Sequence, residues 1–293
     1  VDNRESMDIG WLKAEQGLVG LLVMSNPFSY RPFNDGIDLL AVVVMKKVSA
    51  DKQTEHLLKD DSRIQLHRVT PDTLERWIVS GENRKIVQWL LEGDILIDDT
   101  GYLENLRSRL IEWSPLLREQ RLLCEFSRFV GTYSRARQDL KDGQALDAYS
   151  HVMASLHYWA DIALVEQGLH PELTVWEQMR RVNPGLYKLF EELTTSSETL
   201  EQRVELVLLA CEFSLLTKME SCCSLLIRII ESREQFWSVA ELRQHPELSG
   251  LSLDLPLLLQ KLVKRGCIRE VARSARDRGE GLMELCYTSM KQL

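Results

Sequence analysis

The spacing of hydrophobic positions changes twice along the chain and divides it into three stretches. In the first, an apolar run closes at Ser25, and a polar loop bearing Pro27 and Pro32 follows. A second apolar run, Ile37 to Met45, begins beside two acids, Asp35 and Asp38. Short apolar runs bounded by turn residues predict two buried strands joined at an acid-bearing loop. Arg63 to Val69 alternates polar and apolar residues, the pattern of a half-buried strand. Thr70 and Pro71 predict a capped helix start, and Gly93 to Leu103 a short strand closed by an Asp/Gly turn.

From Leu103 the period lengthens. Leu103, Leu106, Leu110, Trp113 and Leu117 recur every three or four residues, and so do Phe126, Phe129, Val130 and Tyr133. Further helices are predicted over 145–167, with Leu146, Tyr149, Met153, Leu156 and Ala160 on one face, and over 175–182, 186–193 and 200–231. Long helices joined by short breaks make an antiparallel bundle. The last stretch opens with Ser238 and Glu241 in capping-box spacing. A second helix follows over 255–264, with Leu258, Leu259, Leu262 and Val263 inward and Gly266 at its end. Segments 267–273 and 282–287 then read as two strands around an Arg-rich loop. Helix, helix and hairpin is the order of a winged helix. The expected fold class is therefore α+β and multi-domain: an α/β domain over 1–102, a helical bundle over 103–233 and a winged helix-turn-helix over 234–293.

Composition narrows the setting. None of the 293 residues belongs to an uninterrupted apolar run near eighteen residues, and no signal-peptide pattern opens the sequence, so a cytoplasmic protein without membrane contact is expected. Cys124, Cys211, Cys222, Cys223, Cys267 and Cys286 lie scattered in apolar surroundings without zinc spacing, as free thiols do in a reducing compartment. Net charge is −8, which excludes a surface wholly given to nucleic acid. Residues 238–293 nevertheless hold nine Lys and Arg against seven Asp and Glu, a net +2 that leaves −10 for the rest. Lys261, Lys264, Arg265, Arg273 and Arg276 are the candidate contacts to DNA or RNA phosphates, although many winged helices bind protein instead.

The run from Leu21 to Met45 resembles the signature of the polymerase-beta-type nucleotidyltransferases. That family pattern is a hydrophobic residue, Gly and Ser, then about eleven residues, then Asp-hydrophobic-Asp entering a strand. Ser25 matches its Ser and Asp38 its second Asp; Met24 stands at its Gly and Gly36 at its first metal-binding Asp. The next strand holds Gln65 and His67 where a third carboxylate is usual. The stretch 93–103 is similar to the end of that domain in antibiotic-modifying relatives, and 144–193 to their helical substrate-binding domain. The resemblance implies a nucleoside triphosphate with phosphates on Ser25 and Asn26, a Mg²⁺ cofactor on Asp38 and Asp35 as catalytic and metal-binding acids, and transfer of a nucleoside monophosphate to an acceptor hydroxyl.

The residues leave alternatives beside that implication. Asp35 and Asp38 also suit a turn and a strand start without metal. His67 is either a metal ligand or a hydrogen-bonded strand residue. His151, His157, Tyr158 and Trp159 either line a pocket or form an ordinary amphipathic boundary, and Arg135 and Arg137 either meet a phosphate or form a solvated face. Three functions stand open: a nucleotidyltransferase, a degenerate core retained for nucleotide sensing or protein assembly with the winged helix as its output to nucleic acid, or an interaction scaffold with neither activity.

Overall fold

The computed structural model describes residues 12, 15–25, 37–49, 53–59, 61–81, 83–274 and 282–290, and the chain divides into two compact units, 1–114 and 115–293. In the first unit β1 (Leu18–Ser25), β2 (Leu39–Met45), β3 (Thr54–Lys59), β4 (Ser62–Val69) and β5 (Asp94–Ile97) form one sheet in the order β3-β4-β2-β1-β5. The β2/β4 pair is parallel and the others are antiparallel. All seven residues of β2 are buried, as a continuous apolar run on a central strand requires. Leu39, Ala41, Val43 and Met45 pack with Leu12, Leu21, Val23, Ile64 and Leu66.

Three helices belong to the same unit: α1 (Pro71–Ser80) and α2 (Arg84–Glu92) between β4 and β5, and α3 (Tyr102–Ile111) after β5. Thr70 caps α1 through its hydroxyl, and Gly81 closes it at φ +66°. The periodicity beginning at Leu103 reads as the opening of the bundle, yet α3 packs in the first unit, on β1 and α2. A side chain at Gly20 would come within 2.7 Å of Leu103 Cδ1, and Arg107 donates to the carbonyls of Leu90 and Gly93. Helical spacing says that a face is covered, not which neighbour covers it. Strand β3 has no clear apolar signal in the sequence because it is an edge with alternate residues half exposed. It carries Glu55, which with Glu15 pairs the buried Arg68 guanidinium.

In the second unit α4 (Pro115–Lys141) and α5 (Ala145–Glu166) form a helical hairpin turned at Gly143, whose φ of +75° suits glycine. Phe126, Phe129, Val130 and Tyr133 are buried, as their spacing predicts. On α5 the predicted face is rotated: Leu146 is 78% exposed, and Ala148, Val152, Leu156 and Ala160 are buried. Apolar residues surround much of α5, so the largest ones do not choose the face. Small Ala148 instead permits close approach. Next come α6 (Val175–Val182) and α7 (Pro184–Thr195), the latter capped by Asn183, which accepts from the Leu186 N–H at 3.1 Å. A Thr199/Gln202 capping box starts α8 (Leu200–Cys222), which packs on α4 and α5.

The helix expected over 200–231 breaks at Cys223. Beyond it α9 (Ser224–Glu231) buries Leu225, Leu226, Ile229 and Ile230. Then follow β6 (Trp237–Ser238), α10 (Val239–Gln244), α11 (Leu255–Arg265), β7 (Ile268–Ser274) and β8 (Met283–Ser289), with the strands ordered β6-β8-β7. Packing of α9 on β8 and α4 makes it the helix that joins bundle to wing. The Ser238/Glu241 capping box is present, Asp254 caps α11, and Gly266 ends it at φ +75°. All six cysteines are free thiols, five of them buried.

Candidate functional site

The strand pairing of the first unit brings the motif residues to one end of the sheet. Ser25 ends β1 opposite Leu39, and Asp38 stands immediately before Leu39. Asp38 is exposed, yet it is tied to β4: its N–H donates to the Arg63 carbonyl at 2.8 Å, and its carboxylate accepts from the Arg63 N–H at 2.9 Å. The acid thus closes the first rung of the parallel β2/β4 ladder. Gln65, opposite Leu40 on β4, supplies only a neutral amide where a third carboxylate would stand. Asn26 and Asp35 lie outside the described residues, as does the side chain of Ser25.

No group of three His, Cys, Asp or Glu among the described residues could hold a metal ion. Mg²⁺ needs several hard oxygen donors in near-octahedral geometry. Among the described residues Asp38 supplies one such donor, and its carboxylate also accepts from a backbone amide. His67 takes the hydrogen-bonded alternative: Nδ1 lies 3.2 Å from the Thr54 hydroxyl and the ring 5.7 Å from that of Trp89. Burial holds its imidazole below the ordinary range, with His56 and Lys85 adding like charge.

On the winged helix the candidate cations separate. Lys264 and Arg265 are exposed at the end of α11 near the turn into β7. Lys261 is half-buried; burial lowers its pKa, and Lys264 and Arg137 push the same way while Glu212 opposes them. It therefore sits against the bundle. Arg273 is exposed, 5.3 Å from the Phe236 ring and opposite Glu284 in the β7/β8 ladder. Arg276 lies outside the described residues.

The aromatic and histidine residues of α5 serve the bundle. His151 Nδ1 lies 2.6 Å from Asp139, and His157 meets the edge of Trp176, which stacks on Phe190 at 4.0 Å. Arg135 and Tyr158 do more than face solvent: with Arg128, Gly131 and Arg243 they line one cavity. Arg243 is remote from the others in sequence, and no local pattern joins them.

A sheet with an acid at the start of its central strand, a helical bundle and a winged helix define a nucleotidyltransferase-like protein with a helix-turn-helix domain. Residues 11–118 match the nucleotidyltransferase-like family, 119–218 the YgxA-like substrate binding domain and 224–289 a helix-turn-helix domain. The Bacillus subtilis (strain 168) protein YgxA is 33% identical over 234 residues, covering 80% of this chain and 79% of that one. The crystal structure of a nucleotidyltransferase-like protein from Exiguobacterium sibiricum 255-15 is similar with a TM-score of 0.83 and 29% identity, over 98% of each chain. The chain belongs to the YgxA-like family of nucleotidyltransferase-like proteins.

Proposed function

We propose that the chain is a nucleic-acid-binding regulator whose nucleotidyltransferase-like domain does not carry out metal-dependent transfer. The observation that carries this reading is the state of Asp38. It is the one carboxylate placed at the motif among the described residues, and it is bonded to the Arg63 amide. Gly36 and Gln65 add no acid. The output then falls to the winged helix. Lys264 and Arg265 are exposed, and α11 itself contains no Asp or Glu. Cations on a solvent-facing helix end suit phosphate contacts, which set affinity and its salt dependence.

Fluorescence anisotropy with labelled duplex DNA and structured RNA tests the reading. Binding should weaken steeply between about 50 and 200 mM salt, and Lys264→Gln with Arg265→Gln should reduce the logarithmic salt slope by about one per residue. Absence of binding at low salt overturns it. A second reading, transfer of a nucleoside monophosphate to a hydroxyl, is favoured by the neighbouring positions of Ser25 and Asp38 on adjoining strands. Labelled-nucleotide transfer that needs Mg²⁺ and disappears in Asp38→Asn would establish that reading in place of the first.

A further inference from the structure

A cavity of about 480 Å³ lies within the second unit, where α4 and α5 meet the segment leading into α11. Arg128 and Arg135 of α4 and Arg243 of α10 line it. Arg128 lies 3.5 Å from the buried Glu125, while Arg135 and Arg243 stand in no ion pair among the described residues. Asp254 is the only carboxylate among the described lining residues, and one of its oxygens accepts from the Leu257 N–H at 3.1 Å in capping α11. Arg135 and Arg243, with Arg128 sharing its charge with Glu125, stand against one committed carboxylate and leave the cavity cationic. Guanidinium forks match phosphate oxygens in geometry as well as charge.

Gly131 gives a second, independent indication. It lies inside α4, where glycine weakens a helix relative to alanine. A Cβ built there meets no protein atom within 4 Å, so packing within the protein does not call for glycine. The room it leaves belongs to the cavity it lines. Tyr158 completes the wall with an aromatic ring and a phenol that bonds to nothing among the described residues.

We propose that this cavity binds a nucleoside phosphate, with its phosphates on Arg128, Arg135 and Arg243 and its base against the Tyr158 ring. The size lies in the range of small-molecule pockets, about 300–1,000 Å³. This inference is independent of nucleic-acid binding at the end of α11. A nucleic-acid backbone offers the same phosphate chemistry, and the experiment separates the two sources.

Calorimetric titration of the full chain with ADP, GDP, CDP, UDP and pyrophosphate, without Mg²⁺, tests it alongside anisotropy with labelled duplex DNA. At least one nucleoside diphosphate should bind, more tightly than pyrophosphate. Arg135→Gln, Arg243→Gln and Gly131→Leu should each weaken it at least tenfold, whereas Asp38→Asn and Lys264→Gln should leave it unchanged. Gly131→Ala should melt at or above the wild-type temperature, because nothing stands where its methyl goes. Absence of binding by all the diphosphates overturns the proposal, and so does binding indifferent to the cavity variants or lost in Asp38→Asn. If only duplex DNA responds to the cavity variants, the phosphate belongs to nucleic acid and the small-molecule site is refuted. Failure of the regulator reading shows separately, as absence of wild-type DNA and RNA binding.

Discussion

Removing the Glu125 carboxylate takes from a buried guanidinium a counter-charge 2.9 Å away. Glu125 is 1% exposed and lies 2.9 Å from Arg121, itself 4% exposed, on the preceding turn of α4. Its contact with Arg128, at 3.5 Å, is with a more accessible group that water can solvate. The contact with Arg121 is the more buried of the two and sets the expected penalty of Glu125→Ala. Breaking one half of a buried pair costs about 3–5 kcal/mol. With a urea m-value of about 2–3 kcal/mol/M, the midpoint should fall by roughly 1–2.5 M, read by far-ultraviolet circular dichroism. A companion variant, Arg121→Met with Glu125→Met, removes both charges and should recover most of the loss, since apolar replacement of a buried pair is often neutral. A loss below about 1 kcal/mol in Glu125→Ala would show that the pair is solvated in practice. If the double variant is as unstable as the single one, packing rather than charge accounts for the loss.

Other expectations follow from single contacts. The depressed His67 imidazole means that, as pH falls below 6.5, the unfolded chain takes up a proton before the folded one. The His67 contribution to stability is thus whole above that value and erodes below it; His67→Gln should flatten this dependence in thermal melts between about pH 7 and 5. A methyl at Gly93 would stand 2.6 Å from the Trp89 carbonyl and 2.8 Å from Leu22, so Gly93→Ala should cost about 1–3 kcal/mol, and an unchanged melting temperature would refute the close approach. Burial pushes the Cys211 and Cys222 thiols up to about 12. At about pH 8 a disulfide reagent should label the less buried Cys267 first and the buried thiols only after unfolding, and immediate labelling of all six would contradict their burial.

What was legible in the sequence was whatever depends on near neighbours. The β2 strand, the caps at Thr70 and Ser238, the glycine end of α11 at 266 and the winged-helix order all rest on local chemistry, and each is present. Tertiary choices were less accessible. Leu103 has bundle spacing but packs over Gly20, and Leu146 has core character but faces solvent. The break at Cys223 carries no Pro or Gly; the helix parts there as the Leu225 to Ile230 face turns to meet β8. At the candidate site, the sequence places Asp38 at a strand start, but its bond to Arg63 needs the parallel register of β4. Lys261 illustrates the same limit, since only the bundle beside it makes it a half-buried cation.

The rung that Asp38 closes bears on how relatives can be read. Asparagine offers the same oxygen acceptor without the charge. Selection on the sheet alone can therefore hold Asp or Asn at this position for as long as β2 and β4 stay paired, whether or not any chemistry survives. An aligned Asp at 38 is then no witness for catalysis. The telling column is 36, where this chain has Gly and an Asp would add a second hard oxygen donor to the motif.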